Sequence, residues 1–343
     1  MNGKSLFNHL FILTDDTGMM QHSIGSTPNP KYGYTTDDNA RAIIASAMMY
    51  EMYKEEKFLN LIKRYLSFLM YAQDEDGYFR NFMTYDRKFI DDDFSEDCFG
   101  RCMWALGYLL DSPLDDRIKL PASKLIEKSL SIIDDLKYIR GKAYTLIGLY
   151  HIYNAENKFK RDFIKGKIAE LTDDIIEEYE KNSNDDWKWF EGTVSYDNGI
   201  IPLSLLKSFI VLKDEKILDI ALESLEFLDS ICFRNGYFKA VGCKGWYERG
   251  KNIAEFDEQP VEAYTMALMY IDAYNVTGNE KYRERALACD DWFYGKNSKG
   301  VSLYDESSGG CSDAITEDGV NSNEGAESLI SIIISHCATS ELK

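Results

Sequence analysis

One segment of the sequence is the most informative about the fold: Thr36-Asp37-Asp38-Asn39-Ala40-Arg41-Ala42-Ile43-Ile44-Ala45-Ser46-Ala47-Met48-Met49-Tyr50. From residue 40 onward the apolar side chains cover most faces of a helix, which predicts a largely buried helix. Several polar groups stand at its start, where one capping residue would suffice. This excess predicts a functional site. Arg41 lies one turn from Asp37 and Asp38, so we expect it to pair with one carboxylate and leave the other free.

Two types of helix alternate along the chain. The apolar residues of 57–72 recur at i, i+3 and i+4, which predicts an amphipathic helix. Further buried-type helices are predicted at 96–110, 141–154, 198–212, 259–276 and 324–337. Further amphipathic helices are predicted at 119–136, 160–182, 215–232 and 280–294, and Leu6–Leu13 is a candidate for a twelfth.

The connections between these helices differ in length. Short polar connections join the members of a pair, and longer connections rich in Gly and aromatic residues join successive pairs. A short hairpin strand is predicted around Tyr237–Val241. The pattern favours an all-α (α/α)6 toroid with its long loops at one end, formed by a single domain over residues 1–343. A helical-repeat solenoid is the alternative, but its connections would vary less in length.

Six polar clusters precede or begin the buried-type helices. Five carry carboxylates and the third is basic. If the amphipathic helices form an outer layer, all six clusters open at one end as an acidic pit. Single clusters, such as Ser95 with Glu96, would also be explained by helix capping. The clusters are residues 36–41, Ser95-Glu96-Asp97, Arg140-Gly141-Lys142, Tyr196-Asp197-Asn198-Gly199, Asp257-Glu258-Gln259-Pro260 and Asn323-Glu324-Gly325-Ala326-Glu327.

Composition excludes several functions. The formal net charge of −19 argues against a nucleic-acid partner and against anionic membrane surfaces. The seven cysteines include no Cys-x-x-Cys pair, so we expect reduced thiols and neither a disulfide framework nor a metal site. The first residues make a poor secretory signal. We therefore expect a cytoplasmic monomer or homodimer without a cofactor.

One segment suits a carbohydrate ligand. Trp189-Phe190-Glu191 precedes Tyr196-Asp197-Asn198, and aromatic planes stack on sugar rings while acids and amides bind their hydroxyls. The same aromatic residues would also serve as core side chains, and the sequence leaves both interpretations open.

A second segment carries candidate acids. Glu258 and Glu262 are four residues apart, so their like charges would repel on a helix and raise the pKa of one carboxyl, as a general acid requires. Glu324 and Glu327 are similarly close. Residues 92–96, Asp-Asp-Phe-Ser-Glu, resemble a metal-binding signature of prenyl and terpene synthases, but no second metal motif accompanies them, so we treat the match as chance.

Several blocks together resemble a little-described family of six-hairpin glycosidase-like proteins, found alone or fused to glycosyltransferase domains. The blocks are residues 13–23, residues 28–42, Trp189-Phe190-Glu191 with Tyr196-Asp197-Asn198, residues 257–260, Tyr304-Asp305 with Gly309-Gly310-Cys311, and Val320-Asn321 with residues 324–328. The resemblance covers most of the chain. It implies an (α/α)6 toroid, carbohydrate chemistry and a connection with mannosides.

The leading hypothesis is an inverting glycoside hydrolase that acts on a short oligosaccharide, possibly a manno-oligosaccharide, through two carboxylates. The candidate catalytic residues are Asp38 and Glu258, then Asp37, Glu191 and Asp197. The candidate substrate-binding residues are Arg41, Arg101, Trp189, Tyr196, Asn198, Gln259, Glu262, Glu324 and His22.

Three alternatives stay open. The first is a sugar-binding or regulatory module of a glycosyltransferase system. The second is a sugar epimerase or isomerase, for which only His22 is suitably placed as a base. The third is an unsaturated-uronide hydrolase, whose anionic substrate an acidic pit would repel.

Overall fold

The computed structural model describes residues 7–91 and 93–343. The chain divides into two compact units. Unit 1 comprises residues 1–10, 23–27 and 173–343, and unit 2 comprises residues 11–22 and 28–172. Leu6, at the start of the candidate twelfth helix, and Asp92, in the synthase-like motif, lie outside the described residues.

Unit 2 is built on three buried helices that pack side by side, α2 on α4 and α4 on α6, with the amphipathic α3 and α5 packed against them. The helices are α2 (Thr36–Tyr53), α3 (Glu56–Ala72), α4 (Glu96–Asp111), α5 (Asp116–Ser129) and α6 (Ile139–Asn154). A 3-10 segment, Leu130–Asp135, continues α5, and another covers Pro30–Tyr32. Helix α7 (Arg161–Asn182) begins in unit 2 and ends in unit 1.

Glycines allow α4 and α6 to approach closely. A Cβ at Gly107 would lie 2.3 Å from the carbonyl oxygen of Gly148, and a Cβ at Gly100 would lie 2.7 Å from that of Gly141. Each helix thus carries a glycine every two turns on the contacting face. This close packing fixes Arg101, which follows Gly100, beside Tyr144 of α6.

Unit 1 repeats the arrangement. The buried helices α8, α10 and α12 pack in that order, α9 lies against α8, and α11 lies against α10 and α12. The helices are α8 (Ile200–Leu212), α9 (Glu215–Cys232), α10 (Pro260–Thr277), α11 (Glu280–Phe293) and α12 (Ala326–Ser340), together with the short α1 (His9–Ile12), which begins in unit 1.

The strands are short and lie in the connections. In unit 2, β3 (Tyr34–Thr35) pairs antiparallel with β4 (Phe82–Met83). In unit 1 the antiparallel pairs are β5 (Thr193–Val194) with β6 (Tyr247–Glu248), β7 (Tyr304–Asp305) with β8 (Gly310–Cys311), and β9 (Ala314–Thr316) with β10 (Gly319–Asn321). Strands β1 (Ser23–Ile24) and β2 (Thr27–Pro28) lie where the chain passes from unit 1 to unit 2.

Most helix predictions are confirmed within a few residues at each end, including the alternation of buried and amphipathic helices. Two differ more: α5 ends at Ser129 and continues only as a 3-10 segment, and the candidate twelfth helix covers, of the described residues, only His9–Ile12. The strand prediction at Tyr237–Val241 is wrong, because the strand of that connection is β6, several residues later. Within the described residues, no helix is both long and apolar enough to cross a membrane.

Candidate functional site

The start of α2 in unit 2 holds two carboxylates between two arginines. Arg41 donates to Asp38 Oδ1 at 2.7 Å and lies 3.9 Å from Asp37 Oδ2. Arg101 of α4 donates to the same Asp37 oxygen at 2.7 Å. The sequence-based expectation that Arg41 leaves one carboxylate free is wrong, because a second arginine, distant in sequence, binds Asp37.

These contacts determine the charge of Asp37. Burial raises the pKa of this carboxyl, but Arg101 and Arg41 lower it more, so the net pKa lies below its ordinary value. Asp37 is therefore an anion at neutral pH. Its side chain retains 15% exposure, against 5% for Asp38, so Asp37 is the more accessible of the two carboxylates.

Tyr144 and Thr35 complete this cluster. Arg101 donates to the Tyr144 hydroxyl at 3.0 Å and lies over its ring at 4.9 Å. Thr35 donates to Asp38 Oδ2 at 2.5 Å. Neither residue was a candidate from the sequence, since a tyrosine inside a buried helix and a threonine before a helix are both ordinary there.

The β3–β4 pairing fixes the backbone at the start of α2. The Thr36 N–H donates to the Asn81 carbonyl at 2.9 Å, and the Asp37 N–H donates to Asn81 Oδ1 at 3.2 Å. Two N–H groups at the helix start are thereby satisfied without a side chain of α2. Neither of these two N–H groups therefore needs an aspartate side chain as its cap.

Glu96, in contrast, is a structural residue. Its carboxylate accepts the backbone N–H groups of Lys137 and Tyr138 just before α6, at 2.9 and 2.7 Å. The capping explanation therefore holds for the second cluster, and Ser95 also caps α4 by accepting the Cys98 N–H.

In unit 1, Glu262 holds the backbone before α8. Its carboxylate accepts the backbone N–H of Asp197, the backbone N–H of Asn198 at 3.2 Å and the Asn198 amide at 2.9 Å. Asp197 is fully buried and has a φ of +48°, a left-handed conformation that costs free energy in any residue other than glycine. Glu262 thus holds Asp197 in a strained position.

The pKa of Glu262 is raised to about 7, first by burial and second by the nearby Asp197 carboxylate. The prediction that Glu258 and Glu262 repel each other along one helix is wrong in its geometry. Helix α10 begins at Pro260, so Glu258 precedes the helix and its backbone pairs with Ile315 instead.

Glu258 has the environment of a proton donor. The side chain is fully buried, accepts the Trp292 indole N–H at 3.1 Å and accepts the Ser298 hydroxyl. Burial raises the pKa of this carboxyl, and the two donors oppose that rise only in part. Trp292 and Ser298 were not identified from the sequence, because they lie far along the chain in a helix and a loop without an acidic cluster.

Glu324 lies before α12 with a histidine beside it. The His9 ring donates from Nε2 to the Glu324 carbonyl oxygen at 3.0 Å, and its Nε2 lies 3.8 Å from Oε2 of the carboxyl. Burial raises the pKa of Glu324 and lowers that of His9. A Cβ at Gly310 would lie 2.0 Å from Glu324 Oε2, so an alanine there would require this carboxyl to move.

Trp189 does not have the position predicted for it. Its indole is fully buried and packs against Phe190, with ring centroids 5.2 Å apart, and against Phe227 at 6.4 Å. The core interpretation therefore applies, and the buried Trp189 indole is not placed to contact a sugar.

The other candidates differ in exposure. Tyr196 is 36% exposed, and Glu191 and Gln259 are partly buried in unit 1. His22, in unit 2, is partly buried with its ring edge-on to Tyr32 at 5.0 Å. In the described part of the chain, no group of three or more His, Cys, Asp or Glu side chains is arranged to hold a metal ion.

No protein-family model matches the sequence, and no curated protein matches it. Solved structures do match over nearly the whole chain. A sugar epimerase from a ruminal bacterium is 16% identical, with 97% of each chain covered and a TM-score of 0.73. Cellobiose 2-epimerase from Spirochaeta thermophila is 14% identical, with 99% of this chain and 95% of the other covered and a TM-score of 0.75.

A third match is an α-1,6-mannanase of Salegentibacter, described as an inactive variant in complex with α-1,6-mannotetrose. It is 11% identical, with 99% of this chain and 98% of the other covered and a TM-score of 0.67. At such identities the likeness concerns the fold alone. It confirms the predicted fold class, an all-α (α/α)6 toroid.

Proposed function

We propose that this protein is a glycoside hydrolase that cleaves a short oligosaccharide, with manno-oligosaccharides as the first substrates to test. The observation that carries the proposal is the aspartate pair at the start of α2. Asp37 is held as an anion by Arg101 and Arg41, and Asp38 is fixed by Arg41 and Thr35. Glycoside hydrolysis needs carboxylates in defined positions and protonation states.

The mannanase supports this assignment. Its inactive variant has two consecutive aspartates replaced by alanine and is described with a bound mannotetrose. Asp37 and Asp38 are likewise consecutive. We therefore propose that this pair takes part in the reaction, and that Arg41 and Arg101 orient it.

In unit 1, Glu258 is the carboxyl that we propose as a candidate proton donor in its own right. A general acid must be protonated at the working pH, and burial raises the pKa of Glu258 in that direction. Its hydrogen bonds from Trp292 and Ser298 fix the carboxyl in one orientation. Asp197 and Glu191, also in unit 1, are further candidate catalytic residues.

The experiment follows oligosaccharides by ¹H NMR. Wild-type protein is incubated with α-1,6-mannotriose, α-1,6-mannotetraose and cellobiose, and the anomeric signals are recorded from the first minutes. Release of shorter sugars supports the hydrolase. An α-linked substrate that yields the β-anomer first shows inversion, whereas the α-anomer first shows retention.

A sugar 2-epimerase is the second candidate, favoured by the epimerase structures with TM-scores of 0.73 and 0.75. In the same NMR experiment it would convert cellobiose into a new disaccharide without release of a monosaccharide. A binding module would raise the melting temperature in the presence of sugar without producing any new signal.

A further inference from the structure

The end of α3 and the connection from α3 to α4 present exposed apolar side chains. Six of the fourteen exposed large apolar residues in the described chain lie between positions 70 and 94. They are Met70, Tyr71, Phe82, Tyr85, Ile90 and Phe94. Clustered exposure of this kind marks a binding surface more often than scattered exposure does.

Phe82 is the member of this group tied most directly to the aspartate pair. The register of β3 and β4 places Phe82 opposite Thr35. Directly opposed residues of an antiparallel pair project from the same face, with their Cβ atoms about 5 Å apart. The Thr35 hydroxyl donates to the Asp38 carboxylate. Phe82 is therefore the cross-strand neighbour of a residue that binds this carboxylate.

The backbone of Phe82 is firmly held while its ring is exposed. Asp91 accepts the backbone N–H groups of Asn81 and Phe82, at 2.5 and 2.9 Å. Asn81 in turn accepts the N–H groups of Thr36 and Asp37. The Phe82 side chain itself is 45% exposed, and within the described residues its ring stacks on no other aromatic ring.

From this geometry we infer that Phe82 forms a sugar-binding subsite next to the aspartate pair, where its ring stacks on one sugar unit of the oligosaccharide. The inference rests on the proposed function, because it takes a sugar as the occupant. An aromatic side chain has only two rotatable bonds, so it loses little conformational entropy on binding, and its ring offers an apolar face to the apolar face of a sugar ring. Phe82 lies opposite Thr35, and Thr35 binds Asp38. We therefore expect the ring to contact another sugar unit of the same substrate and not an unrelated partner.

The test compares three variants by calorimetric titration with α-1,6-mannotetraose. Phe82→Ala is expected to weaken binding about tenfold, which corresponds to about 1.4 kcal/mol of lost stacking. Phe82→Trp keeps an aromatic face and is expected to bind at least as tightly as wild type. Phe163→Ala is the matched control, because Phe163 lies on α7 and is also 45% exposed. It should bind as wild type does.

The outcomes separate the inference from the proposed function. If wild type and Phe82→Ala bind mannotetraose equally, the subsite is excluded while the hydrolase proposal stands. Binding that weakens in Phe82→Ala without any product release supports the subsite and counts against the hydrolase. If wild type neither binds nor cleaves the sugar, both fail. A change of oligomeric mass in Phe82→Ala would identify Phe82 as a contact between copies and overturn the inference.

Discussion

Arg101 illustrates at the residue scale how a buried charge constrains this site. Its guanidinium lies within 2.7 Å of Asp37, and its side chain is only 7% exposed. Removing one partner of such a pair leaves the other charge buried and uncompensated. We expect Arg101→Met to destabilise the protein by about 3 kcal/mol in urea unfolding at pH 7.

Arg117→Met is the control. Arg117 pairs with Asp115 in solvent, so this substitution should leave the unfolding midpoint unchanged.

The lowered pKa of Asp37 makes the stability of the protein depend on pH. Stability from its ionised form is complete at neutral pH and is lost as the pH falls below about 4. The difference between wild type and Arg101→Met should therefore narrow in acid. A difference that stays constant with pH would contradict this account of Asp37.

The contribution of Glu262 to stability depends on pH in the opposite direction. Its pKa is raised to about 7 from an ordinary 4.5, so the folded state binds the proton more tightly than the unfolded state does. Its contribution to stability is complete below pH 4.5 and is lost as the pH rises through about 7. Gln at this position cannot ionise, and its amide oxygen can still accept N–H bonds.

We therefore predict that Glu262→Gln gains stability relative to wild type between pH 5 and pH 8, by up to about 3 kcal/mol. Urea unfolding of both proteins at pH 5 and at pH 8 measures this gain. If the free energy of unfolding differs between variant and wild type by the same amount at both pH values, Glu262 is ionised throughout this range.

The helix pair α4 and α6 carries the clearest prediction at the scale of elements. A Cβ at Gly107 would meet the Gly148 carbonyl oxygen at 2.3 Å, so Gly107→Ala must push two buried helices apart. Overpacking of this kind typically costs about 1–3 kcal/mol. Because Arg101 and Tyr144 bridge the same two helices, oligosaccharide turnover should fall as well.

Gly166→Ala is the matched control in α7. A Cβ there has nothing within 4 Å, so alanine should stabilise the helix by up to about 1 kcal/mol. Thermal unfolding of both variants measures the two opposite changes. A Gly107→Ala variant as stable as wild type would show that the helix contact adapts at little cost.

Periodicity explains why the helices were predictable and the contacts were not. The apolar spacing of 57–72 and the caps of the helices are local, so the sequence alone locates α3 to within a residue. The pairing of Asp37 with Arg101 joins residues 64 positions apart, and no local pattern encodes it. Glu258 shows the same limit, since its separation from Glu262 fits a helix that in fact begins after it.

At the scale of the whole molecule, chain connectivity bears on the number of domains. The chain passes between the two units near residues 10, 22 and 27 and again inside α7, between residues 172 and 173. Domain boundaries usually fall in exposed linkers and not inside a helix. We therefore propose that residues 1–343 unfold as one domain. Differential scanning calorimetry should give a single transition whose calorimetric and van't Hoff enthalpies agree, and two resolved transitions would contradict the proposal.

The net charge of −19 also acts at this scale. A net negative charge repels anionic ligands but exerts no net Coulomb force on an uncharged sugar, which is consistent with a neutral oligosaccharide as the substrate.

The proposed function depends on the aspartate pair of α2, which we propose catalyses cleavage of a glycosidic bond. The most direct measurement is the rate of product release from α-1,6-mannotetraose by wild type, Asp37→Asn and Asp38→Asn, with circular dichroism to verify that each variant is folded. We expect release by wild type and a rate at least about 100-fold lower in both folded variants. Product release at the wild-type rate by either folded variant would contradict it.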